Sequence, residues 1–280
     1  ALFVDLYAGD RLKNYLSYFT IVWSCGPILA PFLGGYLEKL FSWQANFYFL
    51  AFYAGLLLLF ELLYSGESIA EKKKIDLKDN LNLYKMMLQN KLFILGILVL
   101  GFSYSIVMLF NMTGPFIIEN TFHFSSVTIG YCTLILGFSW MIGGFITKKR
   151  MHLDFVPRVV APALFQAALI VVLILIGMDW QNLYIMVGFS FFIHTISGVL
   201  FTSFFTNSML FFPKHAGTAG GLMGGMVYIV TSLSNFMVSI SGKVTAQNGL
   251  AWRYFIFSIL LTLTILYIWK LQKNNSGQHS

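Results

Sequence analysis

An all-α membrane protein with about eight transmembrane helices is the fold class this sequence predicts, and three observations predict it. The 280 residues are 58% apolar and only 10% charged, whereas a soluble domain carries about 25% charged residues to cover its wetted surface. The apolar residues come in runs long enough to cross ~30 Å of hydrocarbon, which takes a helix of about 20 residues. The basic residues gather in alternate connections between those runs.

Eight runs qualify: 15–37, 43–64, 92–112, 127–147, 159–178, 183–206, 217–241 and 252–269. The first carries two prolines and several small residues, the second is dense in Leu and Phe, and the third ends near the pair Gly114-Pro115. The seventh, rich in Gly, Ser and Thr, is the least hydropathic. Strands of a membrane barrel would be about 10 residues long and strictly alternating, and no such alternation occurs.

The charges give direction. With the N-terminal end placed in the cytoplasm, fifteen of the 18 Lys and Arg residues fall inside. They are Arg11, Lys13, Lys72, Lys73, Lys74, Lys78, Lys85, Lys91, Lys148, Lys149, Arg150, Arg158, Lys214, Lys270 and Lys273. Only Lys39, Lys243 and Arg253 fall outside, so both ends are expected in the cytoplasm. The net charge of +7 is therefore a topology signal and predicts no nucleic-acid partner. Cys25 and Cys132 lie within apolar runs and read as small buried hydrophobes.

One connection is long, polar and charged. Residues 65–91 read as a cytoplasmic linker, with an amphipathic stretch along 81–88 suited to the membrane surface. This divides the chain into 1–64, the linker, and 92–280. Trp43-Gln44-Ala45-Asn46-Phe47 opens the second run and Trp252-Arg253-Tyr254-Phe255 the eighth, each after a glycine-rich span. Such an echo fits duplicated six-helix halves, with two helices of one half before the linker and a whole half after it. The chain opens on Ala1 with no signal pattern ahead of the first run, which predicts a piece of a longer protein.

The densest local pattern is Cys25-Gly26-Pro27-Ile28-Leu29-Ala30-Pro31-Phe32-Leu33-Gly34-Gly35. Gly26, Ala30 and Gly34 stand four apart and form a smooth face for close helix packing. Pro27 and Pro31 each remove a backbone donor and favour a bend. On spacing alone, tight packing and a rocking hinge are equally good readings. Gly130, Gly137 and Gly144 make a second small-residue seam, seven apart, in the fourth run.

Together with Ser17, the first-run pattern is similar to the antiporter motif of Major Facilitator Superfamily drug exporters. Two positions depart from it, Ser17 and Ala30 standing where glycine is usual. Asp5, Gly9 and Arg11 resemble that family's cytoplasmic turn before its fifth helix. Pro27 to Gly35, then Trp43 with Phe47, Gly114-Pro115-Phe116 and 216–220 look most like the Bcr/CflA-type drug:proton antiporters. Gln44 stands where Arg is frequent, and Gly144 with Lys148, Lys149 and Arg150 resembles a gating motif stripped of its acid.

The resemblance implies the last eight helices of a twelve-helix fold in the bacterial inner membrane. It also implies proton-coupled efflux of drug-like amphiphiles by alternating access, working as a monomer with no cofactor beyond the proton gradient. The seam of Gly130, Gly137 and Gly144 is expected against Gly26, Ala30 and Gly34, sealing the outer interface. The coupling carboxylates would lie in the family's first four helices. A permease for a sugar, siderophore or other metabolite, or a transport-inactive truncated protein, are the alternatives.

Proton coupling requires a titratable group within the membrane. His194, near the middle of the sixth run, is the candidate, while Glu61 sits near the inner end of the second. Tyr104, Asn111, Trp140, Thr195 and Asn235 are polar or aromatic residues within spans and complete the candidate cavity, since aromatic faces bind broadly. No His-Glu-x-x-His, phosphate loop or Ser/His/Asp grouping is present, so an enzyme is not expected.

Overall fold

The structure, a computed structural model, describes residues 3, 6–64 and 77–276, with several side chains, most of them along 19–39, described as backbone only. Asp5, the Lys72-Lys73-Lys74 run, most of the linker, and the side chains of Cys25, Pro27 and Pro31 lie outside the described residues, as does the packing of Gly35.

Nine α-helices follow one another in the described residues: α1 (Gly9–Leu40), α2 (Gln44–Tyr64), α3 (Leu77–Gln89), α4 (Lys91–Asn120), α5 (Ser126–Lys149), α6 (Phe155–Asp179), α7 (Leu183–Met209), α8 (Ala216–Ile240) and α9 (Gln247–Ser276). A single 3₁₀ turn, Pro213–His215, leads into α8. Seven of these helices, α2 and α4 to α9, are long and apolar enough to cross a membrane. The eighth expected span, α1, has 32 residues, about 48 Å at 1.5 Å per residue. Its stretch 16–33 carries no charged residue. It stays helical through positions 27 and 31.

The helices outrun the apolar stretches that predict them. α4 continues past Gly114 and carries Pro115 inside it, where hydropathy alone ends the span near Met112. A Gly-Pro pair stops a helix readily in water. Packed among other helices, the freed backbone groups find other partners and the helix carries on. Likewise α9 begins five residues before Trp252, because Gln247 is buried and tied to the α6–α7 connection.

Helices α4 to α9 pack as one bundle. α4 and α7 are its most buried members. α5 and α6 lean on α7, α8 and α9 lean on α4, and α6 and α9 close the far side. α1 docks along α5 and touches α7, and α2 packs chiefly on α1 among the described residues. No residue of α2 is buried, so its Leu- and Phe-rich surface needs an apolar surround.

Consecutive spans alternate in direction. At one end, the Thr121 hydroxyl donates to the Thr245 carbonyl. At that end too, the Asn182 N–H donates to Gln247 Oε1 at 3.0 Å, and the Arg253 guanidinium donates to the carbonyls of Ser241 and Gly242, closing the end of α8. At the opposite end Phe93 meets Phe212 and Phe155 meets Phe204. There the Lys148 ammonium lies 3.3 Å over the Tyr18 ring of α1. Arg11, Lys13, Lys91, Lys148, Lys149, Arg150 and Lys214 thus share one end, and Lys243 and Arg253 share the other.

The tightest crossing in the bundle joins α5 to α7. A Cβ on Gly143 would fall 2.8 Å from the Val199 nitrogen and 2.9 Å from the Gly198 Cα. One on Gly198 would fall 2.5 Å from the Trp140 carbonyl oxygen. Only glycine permits this approach, and Thr147 fastens it by donating to the Val199 carbonyl at 3.0 Å. In lipid, where apolar side chains gain little by leaving their solvent, such close backbone packing is a main source of helix association.

Candidate functional site

Four helices present aromatic side chains to one another on one face of the bundle. Tyr104 on α4 meets Trp140 on α5 edge to face, with ring centroids 6.1 Å apart. It meets Tyr228 on α8 in the same manner, also at 6.1 Å. Phe201 on α7 lies 5.1 Å from Trp140 and 6.4 Å from Tyr104. Edge-to-face pairs at such spacings hold each ring in a fixed orientation.

Burial grades across this group. Phe201 is buried, Tyr104 and Trp140 are half-buried, and Tyr228 is exposed. The cluster therefore runs from a buried ring to an exposed one, with Trp140 on α5 and Tyr228 on α8 at its two sides. The Gly143–Gly198 crossing fixes the Trp140 backbone from beneath. Such a surface offers π faces, ring edges and two phenolic hydroxyls.

The sequence-predicted residues divide around this cluster. Tyr104 and Trp140 belong to it, and the structure adds Phe201 and Tyr228. Thr195 lies beside the α5–α7 crossing, and its hydroxyl donates to the Phe191 carbonyl at 2.9 Å. Asn235 is half-buried on α8, and its Oδ1 has no hydrogen-bond partner. Asn111 is exposed on α4, where its amide reaches the Met108 sulfur.

His194 faces into the bundle core. Its Nε2 lies 3.1 Å from the Tyr254 hydroxyl, and that hydroxyl donates to Ser190 Oγ at 3.3 Å. Phe110 packs edge-on against the imidazole. His194 is fully buried, and its Nδ1 has no partner. Glu61 lies on the exposed surface of α2.

A second buried polar contact comes from α6. The Gln166 amide donates to the Ile193 carbonyl at 2.9 Å and to Ser197 Oγ at 2.8 Å. It was legible as the lone amide in the fifth apolar run, but its partners lie 27 and 31 residues further along the chain.

The small-residue seams are placed as follows. α1 packs along α5, the helix pair expected from sequence. The two seams do not face each other as expected: Gly26 and Ala30 are exposed, a Cβ on Gly34 would lie 3.3 Å from Asn46 Oδ1 of α2, and one on Gly130 would meet open space. Gly137 is half-buried and Gly144 buried. Gly9 opens α1 with φ +57, a left-handed conformation that glycine adopts without strain. Arg11 is exposed, and Asp10 pairs with Lys13 at 3.2 Å. The Trp echo persists: Trp43 meets Phe47 edge-on at 5.8 Å, and Trp252 meets Phe255 edge-on at 5.9 Å.

Comparison with known proteins agrees with this architecture. The chain is 23% identical over 286 residues to a bicyclomycin resistance protein homolog of Haemophilus influenzae, covering 98% of this chain and 69% of that protein. It is 24% identical over 289 residues to the uncharacterized MFS-type transporter YdgK of Bacillus subtilis, covering 100% of this chain and 70% of that protein. An uncharacterized transporter of Rickettsia felis is 24% identical over 284 residues, with 96% and 69% covered. The family model of the Major Facilitator Superfamily matches residues 1–235. The chain belongs to the Major Facilitator Superfamily, a family of multi-pass membrane transporters and not of enzymes.

Proposed function

We propose that this transporter exports drug-like amphiphiles in exchange for protons by alternating access. The observation that carries the reading is the aromatic group of Tyr104, Trp140, Phe201 and Tyr228, drawn from four helices and grading from buried to exposed. A sugar site needs many hydrogen-bonding groups on its substrate face, whereas this one is built of rings. The relative whose name refers to bicyclomycin resistance supports efflux of a drug-like molecule.

In this reading the protein sits in the bacterial inner membrane as a monomer, with both described ends in the cytoplasm, as the basic residues direct. Residues 1–64 and 92–280 belong to opposing halves joined through 65–91. α1 and α5 pack along the interface between those halves, about which the halves rock. The proton gradient is the energy source. His194, hydrogen-bonded to Tyr254, is the imidazole in this chain suited to proton exchange, at a depth where a carboxylate would cost more.

The test is drug susceptibility of cells expressing the full-length protein or its Trp140→Ala and Tyr104→Ala variants, with expression matched by immunoblot. Wild type raises tolerance to planar cationic compounds, and each variant loses most of that gain. Unchanged susceptibility across a broad panel with wild type would rule out the exporter reading.

A further inference from the structure

The short helix α3 has two working faces, and the bundle uses only one. Met87 is fully buried, and Leu83 packs beside it against the ends of α4 and α8. At 3.6 residues per turn, Leu81, Tyr84 and Leu88 form a second stripe about 100° further round the axis. These residues remain exposed, Leu81 by 67%, Leu88 by 45% and Tyr84 by 38%.

The remaining surface is sorted as well. Lys78 and Lys85 flank the second stripe on the side away from the bundle, about 80° on, while Asp79, Asn82 and Gln89 lie beyond them. Going round the helix, the order is bundle, apolar stripe, lysines, then Gln89, Asn82 and Asp79 with Met86 among them. A helix wholly in water gains nothing from such an arrangement. A helix lying in the membrane plane needs it, with its stripe sunk to the acyl boundary and its lysines at headgroup level.

The position along the chain fits that orientation. α3 ends at Gln89, and the chain turns through Asn90, whose side chain caps α4 by accepting from the Phe93 N–H at 3.1 Å. Asn90 is extended, with φ −76 and ψ 104, so α3 and α4 do not form one continuous rod. The turn lies at the end of the bundle that holds Lys91, Lys148, Lys149, Arg150 and Lys214. α3 is therefore held at that basic end, against α4 and α8.

We infer that α3 is a surface anchor that binds anionic phospholipid headgroups of the leaflet at the basic end of the bundle. Leu81, Tyr84 and Leu88 enter the boundary of the acyl region, and Lys78 and Lys85 engage lipid phosphates. Anchoring fixes the inner end of α4, and through it the Tyr104 side of the aromatic site, against the membrane plane. The inference concerns lipid binding alone and stands whether or not the protein exports drugs.

The test uses the full chain, with Cys25 and Cys132 replaced by Ser, in nanodiscs of phosphatidylcholine alone or mixed with phosphatidylglycerol. Nitroxide labels are placed singly at 81, 84 and 88 and at 79, 82 and 89, and their accessibility to oxygen and to a nickel chelate is compared. The expected result is oxygen access and nickel protection at the first set, the reverse at the second, and deeper immersion with phosphatidylglycerol. In the Lys78→Gln/Lys85→Gln variant, the anionic preference falls about fivefold per lysine removed.

Three results would overturn the proposal. Labels at 81, 84 and 88 closed to both reagents would mean the stripe is covered by protein. Nickel access at those sites in both lipids would place the helix in water. Immersion indifferent to phosphatidylglycerol and to the lysine changes would remove the headgroup contact. Retained bundle packing is checked by an unchanged melting temperature of the lysine variant in detergent.

Discussion

Gly143→Ala is the most informative single change to the bundle. The added methyl would sit 2.8 Å from the Val199 nitrogen and 2.9 Å from the Gly198 Cα, and nearer still to the Thr195 carbonyl. Carbon contacts are comfortable at about 3.5–4.0 Å, so α5 and α7 must part by roughly 1 Å. All three obstacles are backbone atoms and cannot turn aside, which puts the cost near the top of the about 1–3 kcal/mol range for overpacking. Separation also stretches the Thr147 bond to Val199, and a helix-to-helix hydrogen bond in a membrane is worth about 0.6 kcal/mol. Together these give a loss of about 3 kcal/mol.

The assay is reversible unfolding in mixed micelles, followed by tryptophan fluorescence, since Trp140 sits at the crossing. Gly130→Ala on the same helix is the control, because its methyl meets nothing within 4 Å and helix propensity alone would make it neutral or slightly stabilising. Gly143→Ala combined with Gly198→Ala should cost less than the two separately, because one separation of the helices relieves both clashes. If Gly143→Ala unfolds at the same denaturant concentration as Gly130→Ala, the crossing is not where the bundle closes and the reasoning fails.

Other expectations follow from the same packing. Gln166→Leu removes two hydrogen bonds between α6 and α7 and should cost about 1 kcal/mol at roughly 0.6 kcal/mol each; an unchanged unfolding midpoint would contradict it. Arg253→Ala frees the carbonyls of Ser241 and Gly242 and should speed hydrogen exchange at the end of α8, with little effect on the midpoint. His194→Gln preserves a hydrogen-bonding group towards Tyr254 but cannot take up a proton. A shifted pH profile of transport with normal folding would support proton exchange at His194, and an unchanged profile would reduce it to packing.

Most of the spans were legible because crossing a membrane imposes a length and a composition that short-range sequence reveals. The alternation of direction was legible for the same kind of reason, since basic residues resist translocation. Helix ends were less so: Pro115 and Gln247 take their roles from neighbours distant in sequence. The true close approach was also hidden. Gly130, Gly137 and Gly144 drew notice by their even spacing, whereas Gly143 matters because it meets Gly198, 55 residues on. Phe201 gave no signal among 29 phenylalanines, whereas Tyr228, a polar-tipped ring at the middle of the seventh run, carried the same signal as Tyr104 and was passed over. Tyr104 and Trp140 were found because polar-tipped rings inside a span are uncommon enough to ask about. His194 stood out by type, but only coordinates could seat it against Tyr254 and away from the aromatic cluster.

Substrate-driven proton release tests the central claim most directly. Everted membrane vesicles from cells expressing the full-length protein are energised, and the internal acidity is followed with an acridine dye. Adding a planar cationic drug should then discharge part of the gradient in wild-type vesicles. With Trp140→Ala the discharge should need at least about tenfold more drug, as expected for about 1.4 kcal/mol of lost ring contact. No discharge with any drug of a broad panel, or identical curves for wild type and Trp140→Ala, would contradict drug:proton exchange through this aromatic site.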